Sequence, residues 1–130
     1  MSDSRQVILI ADDQESSREL VRAILGRSNY VVVEAADGEQ ALQISSKTKP
    51  DLIILDIHMP KRDGFAVVNE LRKDPAFQST PIMALTASGS LSDKDRIISS
   101  GFDVCLVKPI GPAKLRETVA SLLLQSGASV

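Results

Sequence analysis

Five side chains in this sequence could do chemistry together: Asp12, Asp13, Asp56, Thr86 and Lys108. Each closes or directly follows a short apolar run. The runs are Val7 to Ala11, Leu52 to Leu55, Ile82 to Leu85 and Val104 to Val107. An acid at the end of such a run can be a nucleophile, a metal ligand or a helix cap. Three clustered carboxylates repel one another and need a cation. Oxygen-only ligands with room for water suit Mg²⁺. A lysine acts as a point charge toward phosphate, and a threonine hydroxyl can donate to a phosphoryl oxygen. Carboxylate, divalent metal, ammonium and hydroxyl together read as a phosphoryl-transfer site, where catalysis is mostly positioning and charge neutralisation. An aspartate can itself attack and form an aspartyl phosphate.

These residues are scattered along the chain, so the fold must bring them together. Leu52 to Leu55 suits a strand covered on both faces, and Pro60 and Gly64 turn the chain away after it. Val7 to Ala11 reads the same way. Glu15 to Arg27 carries Leu20, Val21, Ile24 and Leu25 at helical spacing. Val31 to Ala35 is the second strand, and Asp37-Gly38 turns it into a helix with Ala41, Leu42 and Ile44. Lys49-Pro50 stops that helix. Phe65, Val68 and Leu71 mark the next helix, which ends near Asp74-Pro75. Ser92 to Ser100 predicts a short helix with Ile97 and Ile98 facing in, closed by Gly101. The last helix starts near Pro112 and buries Leu115, Val119, Leu122 and Leu123. The ordered core is expected over about residues 6–124, with 125–130 a frayed tail.

Strand and helix alternate five times. That predicts one α/β domain, a doubly wound parallel sheet of five strands with right-handed crossovers. In the order 2-1-3-4-5, strands one and three flank the switch-point crevice. Parallel strands end on one edge, so the five side chains share it and the three aspartates lie closest.

Composition narrows the function classes. The chain has 130 residues, 43% hydrophobic and 25% charged, an ordinary globular balance for one domain. The net charge of −2 argues against a nucleic-acid-binding face, which needs a basic excess. One cysteine excludes an intrachain disulfide and suits a reducing, cytoplasmic setting. No apolar run approaches a membrane span, and no apolar leader follows Met1.

At this point the chain resembles the receiver domains of bacterial two-component response regulators. The matching pieces are Ala11-Asp12-Asp13, Asp56-Ile-His-Met-Pro60, Asp63-Gly64, Thr86-Ala87 and Lys108-Pro109, with Gly101 seven residues before the lysine. Each alone is weak; together, in order, they cover the chain from the first strand to the last helix. The resemblance implies a flavodoxin-like fold with Asp56 as phosphoacceptor. It implies that Asp12, Asp13, Asp56 and the backbone carbonyl of His58 hold Mg²⁺. Thr86 becomes the switch hydroxyl, Lys108 the phosphate counter-ion, and the Lys108–Pro109 bond cis. The implied partners are a histidine kinase or phosphotransfer protein and a downstream protein target. The implied activities are phosphotransfer onto Asp56 and autodephosphorylation. A single-domain regulator, a phosphorelay intermediate and an excised receiver all remain open.

Simpler readings stand beside these. Asp13 also suits the N-cap of the following helix. Thr86 also suits a strand-end hydroxyl bonded to backbone, and Lys108 a solvated surface charge. Asp37 and Asp63 precede glycines and read as turn residues. His58 reads as an exposed loop residue. Cys105 departs from the family, which usually carries Tyr or Phe three residues before the lysine; it reads as a small core hydrophobe. Two other function classes compete. A non-phosphorylated pseudo-receiver, acting only as an interaction module, predicts loss of the acidic pair, the acceptor or the lysine, and all are present. A flavin or nucleotide binder on the same fold predicts a Gly- or Ser/Thr-rich loop after strand one. Asp12-Asp13-Gln14-Glu15 is acidic instead.

Overall fold

The computed structural model describes residues 5–87 and 89–127. Five strands, β1 (Val7–Ala11), β2 (Val31–Ala35), β3 (Leu52–Asp56), β4 (Ile82–Thr86) and β5 (Val104–Val107), alternate with five helices. These are α1 (Glu15–Gly26), α2 (Gly38–Thr48), α3 (Gly64–Lys73), α4 (Leu91–Ser99) and α5 (Pro112–Gly127). The sheet is parallel throughout, in the order β2-β1-β3-β4-β5. None of the described helices is long and apolar enough to cross a membrane.

Strand periodicity divides the core in two. Leu9, Ala11, Ile53, Leu55, Ile82 and Ala84 face one side of the sheet, under α2, α3 and α4. Ile8, Ile10, Leu52, Ile54, Met83 and Leu85 face the other, under α1 and α5. Every residue of β3 and β4 is buried, whereas most of β2 is half-buried, as fits an outer strand.

Several local expectations change. Asp37 and Asp63 are side-chain N-caps, accepting from the amides of Gln40 and Ala66. The acidic pair does not cap α1; its N-cap is Gln14, which makes no side-chain cap bond. Ile97 is buried but Ile98 is 49% exposed, correcting the expectation that both face in. Successive helix residues point about 100° apart, and the seating of α4 on the sheet turns Ile97 inward and its neighbour toward the rim of the buried face. Leu20, beside buried Val21, is 42% exposed. The backbone of α5 runs to Gly127. The remainder of the expected tail, 128–130, lies outside the described residues. A 3-10 turn, Pro75–Phe77, lies between α3 and β4.

One buried polar group is out of keeping with this core. Ser45 of α2 is fully buried, and its Oγ has no hydrogen-bond partner among the described residues. An unsatisfied buried hydroxyl costs about 1–3 kcal/mol, and alanine is the better helix former. Ser45→Ala is therefore expected to stabilise the fold by about 1 kcal/mol, raising the thermal midpoint by roughly 3–5 °C. A lower midpoint in a calorimetric scan would show that the hydroxyl is satisfied.

Candidate functional site

Strand register assembles the site. Ala11 pairs with Leu55, so Asp12 and Asp56 follow as neighbours at the edge. Asp56 pairs with Leu85, which places Thr86 one step beyond it. Thr86 pairs with Val107, and its carbonyl accepts the Lys108 amide at 2.8 Å. Asp12, Asp56 and Thr86 are buried, Lys108 is half-buried, and Asp13 is exposed.

The lysine joins the two buried acids. Its Nζ donates to Asp12 Oδ2 at 2.9 Å and to Asp56 Oδ2 at 3.3 Å. Asp12 Oδ1 accepts the Gln14 amide, and Asp56 Oδ1 accepts the His58 amide at 3.2 Å. The His58 side chain itself is exposed, as a loop residue should be. The Lys108–Pro109 bond is cis. Gly64 lets α3 start close to the acid: a Cβ there would lie 2.7 Å from the Asp56 carbonyl oxygen and 2.9 Å from Ile57 Cα.

Carboxylate oxygens of Asp12, Asp13 and Asp56 lie within 4.8 Å of one another. Three hard oxygen donors at this spacing, one open to solvent, fit a divalent cation that keeps part of its water, such as Mg²⁺. The electrostatics agree. Burial, and then the charge of Asp12, push the Asp56 carboxyl above its usual range; the His58 amide and Lys108 only partly offset this. Burial alone would lower Lys108, but its bond to Asp12 and the charges of Asp56 and Asp12 hold it above the usual lysine range.

A stability prediction follows from the raised Asp56. Its folded form holds a proton more tightly than the unfolded chain, whose carboxyl titrates near about 3.9. Ionising Asp56 therefore destabilises the metal-free fold as pH rises through that window. Without Mg²⁺, Asp56→Asn is expected to melt a few degrees above the wild type at pH 7. The difference should vanish below about pH 4, where the wild-type carboxyl is protonated in both states. An equal or lower midpoint at pH 7 in a metal-free scan would refute it.

Two features near the site were not read from the sequence. A cleft of about 140 Å³ beside Thr86 is lined by Ile57, His58, Phe65, Asp93, Arg96 and Ile97. Arg96 stacks 4.0 Å over the Phe65 ring, and Phe65 meets Phe102 edge-to-face at 6.3 Å. Aromatic packing thus lies on α3 and before β5, not at position 105. Cys105 is half-buried against that side of the core, and burial pushes its thiol up, eased by Lys94. The second feature is Arg18 of α1, which reaches the Asp12 backbone carbonyl at 2.8 Å. Nothing in helical periodicity marks it, since its partners come from outside its helix.

The family model for the response regulator receiver domain matches residues 8–120. The chain is 40% identical, over 119 residues, to the alkaline phosphatase synthesis transcriptional regulatory protein PhoP of Bacillus subtilis. That match covers 92% of this chain and 49% of PhoP. The chain spans about half the length of the curated relatives it matches. Among solved structures, chemotaxis protein CheY4 of Vibrio cholerae superposes with a TM-score of 0.86 at 34% identity, over 92% of this chain and 99% of that one. The receiver domain of sensor histidine kinase PA1611 of Pseudomonas aeruginosa, solved with a magnesium ion coordinated in its active-site cleft, gives 0.85 at 28%, over 92% and 98%.

Proposed function

The chain belongs to the response regulator receiver domain family, and from that membership we propose that it accepts a phosphoryl group from a phosphohistidine partner onto Asp56. The observation that carries this reading is the Lys108 ammonium, 2.9 Å from Asp12 and 3.3 Å from Asp56 at the strand edge. It stands where a phosphoryl group on Asp56 would need a counter-charge.

The roles divide by chemistry. The Asp56 carboxylate forms the new P–O bond. The P–N bond to the donor breaks, and its electron pair stays with the imidazole. Lys108 and the Thr86 hydroxyl bind the phosphoryl oxygens. Asp12, Asp13, Asp56 and the His58 backbone carbonyl would hold Mg²⁺, whose charge neutralises the phosphoryl oxygens and the clustered acids when bound. Water later hydrolyses the acyl phosphate, returning the carboxylate and inorganic phosphate. Binding of the new group by Lys108 and Thr86 draws in the loop after β4, and a downstream protein reads the changed surface. The curated relatives named as transcriptional regulators are about twice as long; in such a protein the reader would be another part of the same chain.

The test is incubation with a small acyl-phosphate donor and Mg²⁺, followed by intact-mass measurement. The expected result is one added phosphoryl group that hydroxylamine removes and EDTA prevents. A hydroxylamine-stable adduct, or none, would exclude the mechanism.

A further inference from the structure

Arg18 sits in the first turn of α1, yet its side chain is only 16% exposed. It is drawn in by two partners from other elements. Its Nε donates to Glu34 Oε1 of β2 at 3.1 Å, and an Nη donates to the Asp12 carbonyl at 2.8 Å. Glu34 is held from its other oxygen by Arg22, which is half exposed.

The carbonyl that Arg18 holds belongs to the peptide unit between Asp12 and Asp13. Asp12 is otherwise secured: its amide donates to the Ala35 carbonyl at 3.1 Å, and its carboxylate accepts from the Gln14 amide and from Lys108. Asp13 is different. It is exposed, and its carboxylate has no hydrogen-bond or ion-pair partner among the described residues. No side-chain contact holds it, so the point from which its side chain leaves the backbone depends on the Asp12–Asp13 peptide, whose carbonyl Arg18 binds.

We propose that Arg18 is a positioning residue for the acidic pair: by tying the Asp12–Asp13 peptide to Glu34, it sets where Asp13 presents its carboxylate and so how tightly the site binds a divalent cation. This rests on the reading of the three aspartates as Mg²⁺ ligands. The guanidinium suits the task because its donors are fixed in one planar fork and two arms can serve two acceptors at once. A lysine at the same place keeps the charge but lacks the fork.

The sign of the effect separates positioning from charge. By Coulomb's law alone, deleting a cation beside a metal site should tighten Mg²⁺ binding. Loss of a positioning group should weaken it, by about tenfold for partners that orient metal ligands. The experiment is a Mg²⁺ titration followed by amide NMR shifts, on folded wild type, Arg18→Met, Arg18→Lys, Arg22→Met and Asp13→Asn, with thermal midpoints measured alongside. Arg22→Met deletes the same charge from the same helix and the same Glu34, but touches no backbone of the pair. Arg18→Met and Arg18→Lys are expected to bind Mg²⁺ about tenfold more weakly, and Arg22→Met as the wild type does. Unchanged or tighter binding in Arg18→Met, wild-type affinity in Arg18→Lys, or an equal loss in Arg22→Met would overturn the proposal. If the wild type binds no Mg²⁺, or Asp13→Asn binds it equally well, the metal reading itself fails, and with it this one.

Discussion

Asp56→Asn is expected to gain no phosphoryl group under conditions where the wild-type chain gains one, a loss of at least about a hundredfold in extent. The amide nitrogen is delocalised and cannot replace the carboxylate as nucleophile. Neither neighbouring acid can take over. Asp12 is wholly buried, at 0% exposure against 6% for Asp56, and its Oδ2 is held closer to Lys108, at 2.9 against 3.3 Å. Asp13 is exposed and has no ion-pair contact with the lysine. Only Asp56 combines the lysine contact with a position at the tip of the central strand. Asp63→Asn is the matched control. Asp63 caps α3 through the Ala66 amide, and asparagine caps about as well as aspartate. That variant should fold and phosphorylate normally. A wild-type adduct on Asp56→Asn, or an adduct mapped to Ser or Thr in the wild type, would sink the assignment.

The largest expected effect on stability is at Arg72, far from the chemistry. Its Nε donates to the Gly101 carbonyl at 2.9 Å. One Nη donates to the carbonyls of Phe77 and Thr80, at 2.8 and 2.9 Å, with a longer contact to Gln78. The other pairs with Asp103 Oδ2 at 2.8 Å, an oxygen that also accepts the Ile82 amide. One guanidinium therefore ties α3 to the approaches of both β4 and β5. Hydrogen bonds to a charged group are worth about 1.5–3 kcal/mol each, discounted here because the side chain is 22% exposed. Arg72→Met should lower stability by about 3 kcal/mol. The denaturant midpoint should fall while the slope stays constant. Arg72→Lys should recover little, because lysine cannot reach so many acceptors in one plane. A loss below about 0.5 kcal/mol would place the clamp among ordinary surface contacts.

The strand tips were legible in the amino-acid sequence because a buried parallel strand writes itself as an unbroken apolar run, and the polar residue that ends it is conspicuous. Asp12, Asp56, Thr86 and Lys108 were found that way, and the alternation of strands and helices supplied the shared edge. The resemblance to receivers supplied the metal set and the cis bond at Lys108. Tertiary structure decided what one-dimensional pattern cannot hold. Ile97 and Ile98 are equally apolar, and only the seating of α4 on the sheet buries one and exposes the other. Asp13 by residue type alone suits a helix cap as well as a metal ligand, and the fold puts Gln14 at the N-cap. Arg18 and Arg72 are ordinary helix-surface residues by period, yet each reaches acceptors on other elements, Asp12 and Glu34 for one, Gly101 and Asp103 for the other. Hydrophobic burial follows local periodicity and is readable along the chain. A long cation's partners are chosen by which carbonyls and carboxylates the packed elements leave within its reach, and that is settled only in three dimensions.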